Sequence, residues 1–239
     1  MTAAELLLGT VVLVGASVQR VTGIGFALVT APALALLVGP GQGVLVSNCA
    51  AGAISAVGLC GGWRRVRVSA MVPLVLAAAC TVPAGAWVAD RLPERVLLTA
   101  IGLTVTAAVL LVIGGVRVAA LRGRAGAVVA GAASGFLNSS AGVGGPALSL
   151  YAVNARWPVR EFVPNAQFYG VLVNLFSIAA KGLPALAAPG WLLVASGVAG
   201  GAVLGRLLGD RLSERQARRL VLGLALLGAL ATLAKGVLG

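Results

Sequence analysis

The sequence predicts an all-α, polytopic helical membrane protein of two inverted repeats, each a re-entrant helical hairpin plus three transmembrane helices. Three observations carry the prediction. Of 239 residues, 59% are hydrophobic and 10% are charged, with a mean hydropathy of +1.03. A soluble domain is about 45–50% apolar and about 25% charged, so too few charges remain here to cover a water-facing surface. The apolar residues fall in runs near the roughly 20 residues that cross a bilayer, and short loops carrying arginine separate them. Finally, two motifs of the first half return in the second at nearly one distance.

The same numbers exclude other classes. Disorder needs low hydrophobicity, and 34 glycines without a three-residue period are not collagen. A formal net charge of +12, from 18 Lys and Arg against 6 Asp and Glu, would suggest nucleic acid in a soluble chain. Here the arginines sit in short loops between apolar runs, which is how cytoplasmic loops are marked. Nucleic acid is therefore not an expected partner, and membrane lipid is. Cys49, Cys60 and Cys80 stand singly inside apolar runs and there is no His, so neither a disulfide framework nor metal spacing is present. No metal and no cofactor is expected. Met1-Thr2-Ala3-Ala4-Glu5 has no basic n-region of a signal peptide, so the first hydrophobic segment is expected to direct insertion.

The elements follow in order. A hairpin is expected over 5–39, apolar at 5–19 and 26–38 and interrupted by Arg20-Val21-Thr22-Gly23-Ile24-Gly25. Pro40-Gly41-Gln42-Gly43 reads as a turn. Spans follow at 44–62, 69–89 and 96–116, parted by the basic loop Trp63 to Arg67 and by Asp90-Arg91-Leu92-Pro93-Glu94-Arg95. The basic loop from Arg117 to Arg124 holds a cytoplasmic linker, 118–124. A second hairpin is expected over 125–155, interrupted from Asn138 to Pro146, then a third basic loop, Arg156 to Arg160. The last spans are 162–180, 187–205 and 220–238, with a basic stretch from Arg206 to Arg219 between the final two.

Thr22-Gly23-Ile24-Gly25 matches Ala141-Gly142-Val143-Gly144 at an offset of 119, and Asp90 to Arg95 matches Asp210 to Arg215 at 120. Two distant anchors with nearly one offset mark two homologous halves, 1–117 and 125–239. Arg64, Arg65 and Arg67 place the first basic loop in the cytoplasm. The matching loop of the second half carries only Lys181, whereas the counterpart of the balanced 90–95 loop carries Arg206, Arg211, Arg215, Arg218 and Arg219. The bias has changed sides, so the halves are expected to be inverted, a common build for secondary transporters with a site near the midplane. Inversion makes the first segment of each half enter and leave on one face. The competing reading makes each a single long kinked span. Arms of 10–14 residues would reach roughly 15–20 Å, about halfway through a ~30 Å core, so the two tips are expected to meet there.

Irregular backbone at that depth needs protein or a water-filled cavity around it. Each tip precedes a half-helix, and helix N-termini present unpaired N–H groups and a positive dipole end. The expected site of a small anion is therefore Gln19, Arg20, Thr22, Gly23 and Gly25 together with Asn138, Ser139, Ser140, Gly142, Gly144 and Gly145. The glycines allow close approach, Pro146 suits a first helical turn, and Arg20 offers a fork for two oxyanion oxygens. Asn48, Asn165, Gln167 and Asn174 are secondary candidates, with helix-to-helix hydrogen bonding as their alternative role. All six acids lie near segment ends, leaving no obvious proton carrier and no nucleophile–base pair, so the chain is not expected to be an enzyme. Gly201-x-x-x-Gly205 and Gly205-x-x-x-Gly209 read as helix-packing motifs.

The stretches from Thr22 to Pro32 and from Gly135 to Pro146 resemble the duplicated glycine-rich signature of the TauE/SafE sulfite exporter family. Gly85 to Arg95 and Gly205 to Arg215 are similar to its second repeated feature, a glycine-bearing helix running into an Asp-Arg-Leu turn. One departure is Phe26, where the second tip has Gly145, which bears on substrate size. The resemblance implies multi-pass residence in a bacterial inner membrane and export of sulfite, sulfoacetate or a related organosulfonate. A homodimer is a possible assembly. The rival readings are an anion channel and a non-transporting assembly protein.

Overall fold

The computed structural model describes residues 3–114, 121–209, 211 and 214–238. Within them the chain forms ten α-helices and one short 3-10 turn at Trp63–Arg65. The helices are α1 (Ala3–Thr22), α2 (Phe26–Val38), α3 (Pro40–Cys60), α4 (Val68–Arg91), α5 (Glu94–Gly114), α6 (Gly123–Ala141), α7 (Gly145–Asn154), α8 (Val159–Lys181), α9 (Ala188–Gly209) and α10 (Glu214–Leu238). Seven stretches, all but α2, α6 and α7, are long and apolar enough to cross a membrane. Arg117 and most of the second Asp-Arg-Leu turn (Asp210, Leu212 and Ser213) lie outside the described residues.

Both expected interruptions are present, and each is narrower than the sequence suggests. The first break is only Gly23-Ile24-Gly25, with Gly25 at φ 121°, a value closed to side chains with a Cβ. The second turns on Gly142, left-handed at φ 73°, whose N–H still reaches the Asn138 carbonyl at 3.0 Å. Gln19, Arg20 and Thr22 are thus helical residues of α1, and Asn138, Ser139 and Ser140 of α6. The first arms are correspondingly longer than expected, 20 and 19 residues, whereas α2 and α7 have 13 and 10. Each second arm folds back on its first. Thr30 and Phe26 of α2 close on Gly15, and the Ser134 hydroxyl donates to the Gly144 carbonyl at 2.8 Å.

Three further boundaries move for local reasons. Pro40 opens α3 as its first residue instead of making a turn, because a proline costs no hydrogen bond there, and Gly39 at φ 84° carries the bend alone. Asp90 and Arg91 stay helical, leaving only Leu92 and Pro93 between α4 and α5. Arg206 belongs to α9, while Arg215 and Arg219 belong to α10.

The helices associate through small residues, as expected where lipid tails are as apolar as leucine. On α9, Gly197, Gly201 and Gly205 face the backbone carbonyls of Gly9, Leu13 and Ser17 on α1. On α6, Gly131 and Gly135 face the carbonyls of Leu74 and Ala78 on α4. The first of the two expected glycine motifs thus packs helices. The second does so only through Gly205 among the described residues, none of which lies within 4 Å of where a Gly209 Cβ would point. α3 lies along α8, and α5 along α10. At one end Arg67 pairs with Glu161 at 2.8 Å, and at the other the Ala185 N–H donates to Gln42 at 2.8 Å.

Candidate functional site

Two clusters of buried amides hold the hairpin ends. In the first, Gln19 near the end of α1 donates its side-chain amide to Ser55 of α3 at 2.9 Å and to the Gln167 carbonyl of α8 at 3.1 Å. Gln167 in turn donates to the Gly23 carbonyl at 2.8 Å, tying the break itself to α8. In the second, Asn138 near the end of α6 donates to Asn174 at 3.2 Å and Ser177 at 2.9 Å, both on α8. Asn48 of α3 reaches the Asn138 carbonyl at 3.5 Å, a weak bond, and its own side-chain oxygen is buried with no partner among the described residues.

The clusters use one pair of helices at different heights. Gln167 and Asn174 are seven residues apart on α8, as are Asn48 and Ser55 on α3, so at 1.5 Å per residue about 10 Å separates them. The tips therefore do not meet at a single point. The long first arms carry each past the other.

A cavity joins the two levels. It has a volume of about 490 Å³ and is bounded by Thr22 and Gly25 at the first tip and Gly145 and Pro146 at the second. Ala27 and Leu28 of α2, Ser149 and Val153 of α7, Leu111 and Val112 of α5, and Trp157 and Phe162 complete the walls. The first turns of both α2 and α7 thus border one space, and first-turn N–H groups have no partner within their own helix. The hydroxyls are committed. Thr22 has one proton, which lies between the Val18 and Ile24 carbonyls, and Ser149 donates to the Gly145 carbonyl at 2.9 Å. Each can only accept, so the donors left to an anion on these walls are main-chain amides and the Trp157 indole N–H.

The remaining expected residues separate by role. Arg20 does not line this cavity: it is exposed, and its Cβ lies against Gly205 on the α9 side of α1. Ser139 and Ser140 donate back to the carbonyls of Gly135 and Phe136 within α6. Gly142 caps α6, and Gly144 sits against Ser134. Asn165 accepts from the Arg67 N–H at 2.8 Å and donates to the Glu161 carbonyl at 2.9 Å, far from either tip.

Sequence reasoning missed Ser55, Ser177 and Lys181. The repeat offset pointed to Ser55, which lies 119 residues before Asn174. Lys181 gave no such signal. Its side chain is 3% exposed, and its ammonium donates to the Ser139 carbonyl at 3.3 Å, with Asp90 at 3.8 Å. It is the one buried cationic side chain among those described, and it sits where the end of α6 gathers negative dipole.

Gln19→Leu should destabilise the protein by about 1–2 kcal/mol, because it deletes two interhelical bonds and strands the Gln167 carbonyl. Reversible unfolding in micelles measures this. The Gln19→Leu/Gln167→Leu double variant should lose less than the sum of the singles.

A family model described as Sulfite exporter TauE/SafE matches residues 7–232. No curated protein and no solved structure matches the chain.

Proposed function

The chain belongs to the sulfite exporter TauE/SafE family, and from that premise we propose that it is a secondary transporter of a small sulfur-containing anion, most suited to an organosulfonate. It is a multi-pass membrane protein of a family of transporters, not enzymes. The proposed location is the bacterial inner membrane, with the arginine loops in the cytoplasm and export as the direction.

The observation that carries the reading is the cavity bordered at once by the first turns of α2 and α7. Two positive helix ends and their free amides favour an oxyanion there. The walls between them are largely aliphatic and aromatic, from Leu28, Leu111, Val112, Val153 and Phe162. Such walls suit a short carbon chain on the sulfonate better than bare sulfite. Arg156 and Arg160, exposed beside the wall residues Trp157 and Val159, would raise the local anion concentration at the mouth.

Two inverted repeats, 1–117 and 125–239 joined by 118–124, are the proposed architecture. Its support is an exchange of partners. Gln19 and Asn138 are 119 residues apart, and so are Asn48 and Gln167. Gln19 of the first half bonds Gln167, while Asn138 of the second receives Asn48. The seams correspond likewise, α1 on α9 and α6 on α4. The arms differ in one respect. α2 meets the cavity only with its first turn and is otherwise packed, with Gly43 of α3 against its backbone, whereas α7 borders the cavity along most of its length. That difference supports a conformation open on the α7 side only, and exchanging the two arms would expose the site alternately.

The experiment is counterflow in proteoliposomes beside a thermal-shift series with sulfite, sulfoacetate, thiosulfate and sulfate. Saturable counterflow is expected, with a shift of a few degrees at ligand far above Kd and the largest response to sulfoacetate. Flux without saturation or counterflow would mean a channel, and indifference to all four anions would favour an assembly role.

A further inference from the structure

A second cavity lies in the seam of α1, α9 and α10, sharing only Thr22 with the first. It has a volume of about 210 Å³ and largely aliphatic walls, including Leu13, Val21, Leu204, Leu208, Leu220 and Leu224, and its two hydroxyls, Ser17 and Thr22, donate to carbonyls of their own helix. A space lined in this way holds no water, because a water needs several polar partners. In a bilayer, an acyl chain is the apolar material at hand.

The basic groups follow the groove. Arg20 adjoins the wall residue Val21, is exposed, and forms no hydrogen bond or ion pair with any described residue. Its Cβ rests on Gly205, between the wall residue Leu204 and Arg206. Arg219 adjoins Leu220, and Arg211 and Arg215 occupy the α9–α10 turn and the start of α10. Arg206, Arg211, Arg215 and Arg219 are all exposed. Between 206 and 219 the sequence holds five arginines against Asp210 and Glu214, a surplus of three charges, which Arg20 raises to four. A guanidinium facing lipid is costly unless it reaches an anion or the interface, and its fork matches phosphate oxygens.

We propose that this seam is a binding site for an anionic glycerophospholipid, with one acyl chain in the groove and the phosphodiester held by Arg20 and the arginines at the start of α10. The site explains why a cation that looks like a substrate ligand in the sequence faces away from the transport cavity. Basic pockets between helices on a cytoplasmic face are known to take such headgroups.

The test uses the purified full-length protein in detergent. Phosphatidylglycerol should raise the melting temperature, and phosphatidylcholine with the same chains should raise it less. Inorganic phosphate, which has no chain, should leave it unchanged. Arg20→Gln should weaken phosphatidylglycerol binding about tenfold, the loss of one charge-assisted contact, as read by native mass spectrometry. Leu224→Trp, which narrows the groove without touching a charge, should also weaken it. Equal shifts from the two lipids, a full shift with phosphate alone, or wild-type binding by both variants would overturn the proposal. Should Arg20→Gln fail to fold, Arg219→Gln replaces it with the same expectation.

Discussion

Gly145→Leu is expected to cut anion flux in proteoliposomes by more than about tenfold while shifting the melting temperature by no more than about 2 °C. Gly145 borders the cavity, and no heavy atom of the described residues lies within 4 Å of where its Cβ would point. A leucine there enters open space, displaces the substrate, and covers the first-turn amides of α7. The neighbouring glycine is a built-in contrast. A Cβ on Gly144 would come within 2.7 Å of the Ser134 carbonyl, so Gly144→Leu should fail at folding, not at transport. Normal flux through a well-folded Gly145→Leu protein would remove this cavity from the pathway.

Gly131→Leu should produce little folded protein. A Cβ at this position would stand 2.3 Å from the Leu74 carbonyl oxygen and 2.8 Å from the Leu74 Cα. Both are backbone atoms, so no rotamer change gives relief and α4 must separate from α6. Separation also breaks the bond from the Thr81 hydroxyl to the Ala132 carbonyl at 2.8 Å. Overpacking typically costs 1–3 kcal/mol and sometimes more, and a clash with main chain should cost about 3 kcal/mol or above. The readout is the monodisperse fraction in size-exclusion chromatography together with the melting temperature. Gly209→Leu is the control. It also lies in a glycine motif, but no described residue lies within 4 Å of its Cβ position, so its effect should stay within about 0.5 kcal/mol. Wild-type behaviour of Gly131→Leu would mean that the α4–α6 seam is looser than described.

Some residues of the two breaks were legible because their signal is local. Glycines at 23, 25, 142 and 144, a proline at 146 and polar side chains inside apolar runs mark interrupted helices without knowledge of any neighbour. Ser55 was legible only through the repeat, and Lys181 was not legible at all, since a lysine at the end of a span reads as a loop charge. Its burial arises because α6 ends beside it and presents the Ser139 carbonyl. Asn165, a secondary candidate, takes the alternative role of bonding between helices. It is as polar and as buried as Gln167, yet it only ties the start of α8 to Arg67.

By itself the sequence determined the membrane class, the order of the helices, the two breaks and the family, all of which depend on composition over short windows. Tertiary structure decided which of two neighbouring residues faces inward, at what level each break lies, and that one cavity borders both breaks. Successive residues on a helix point about 100° apart, which buries Gln19 and exposes Arg20. In a water-soluble protein the polar face would have announced that rotation. In a membrane, both the lipid-facing and the core-facing sides are apolar, so only packing against the other helices settles it.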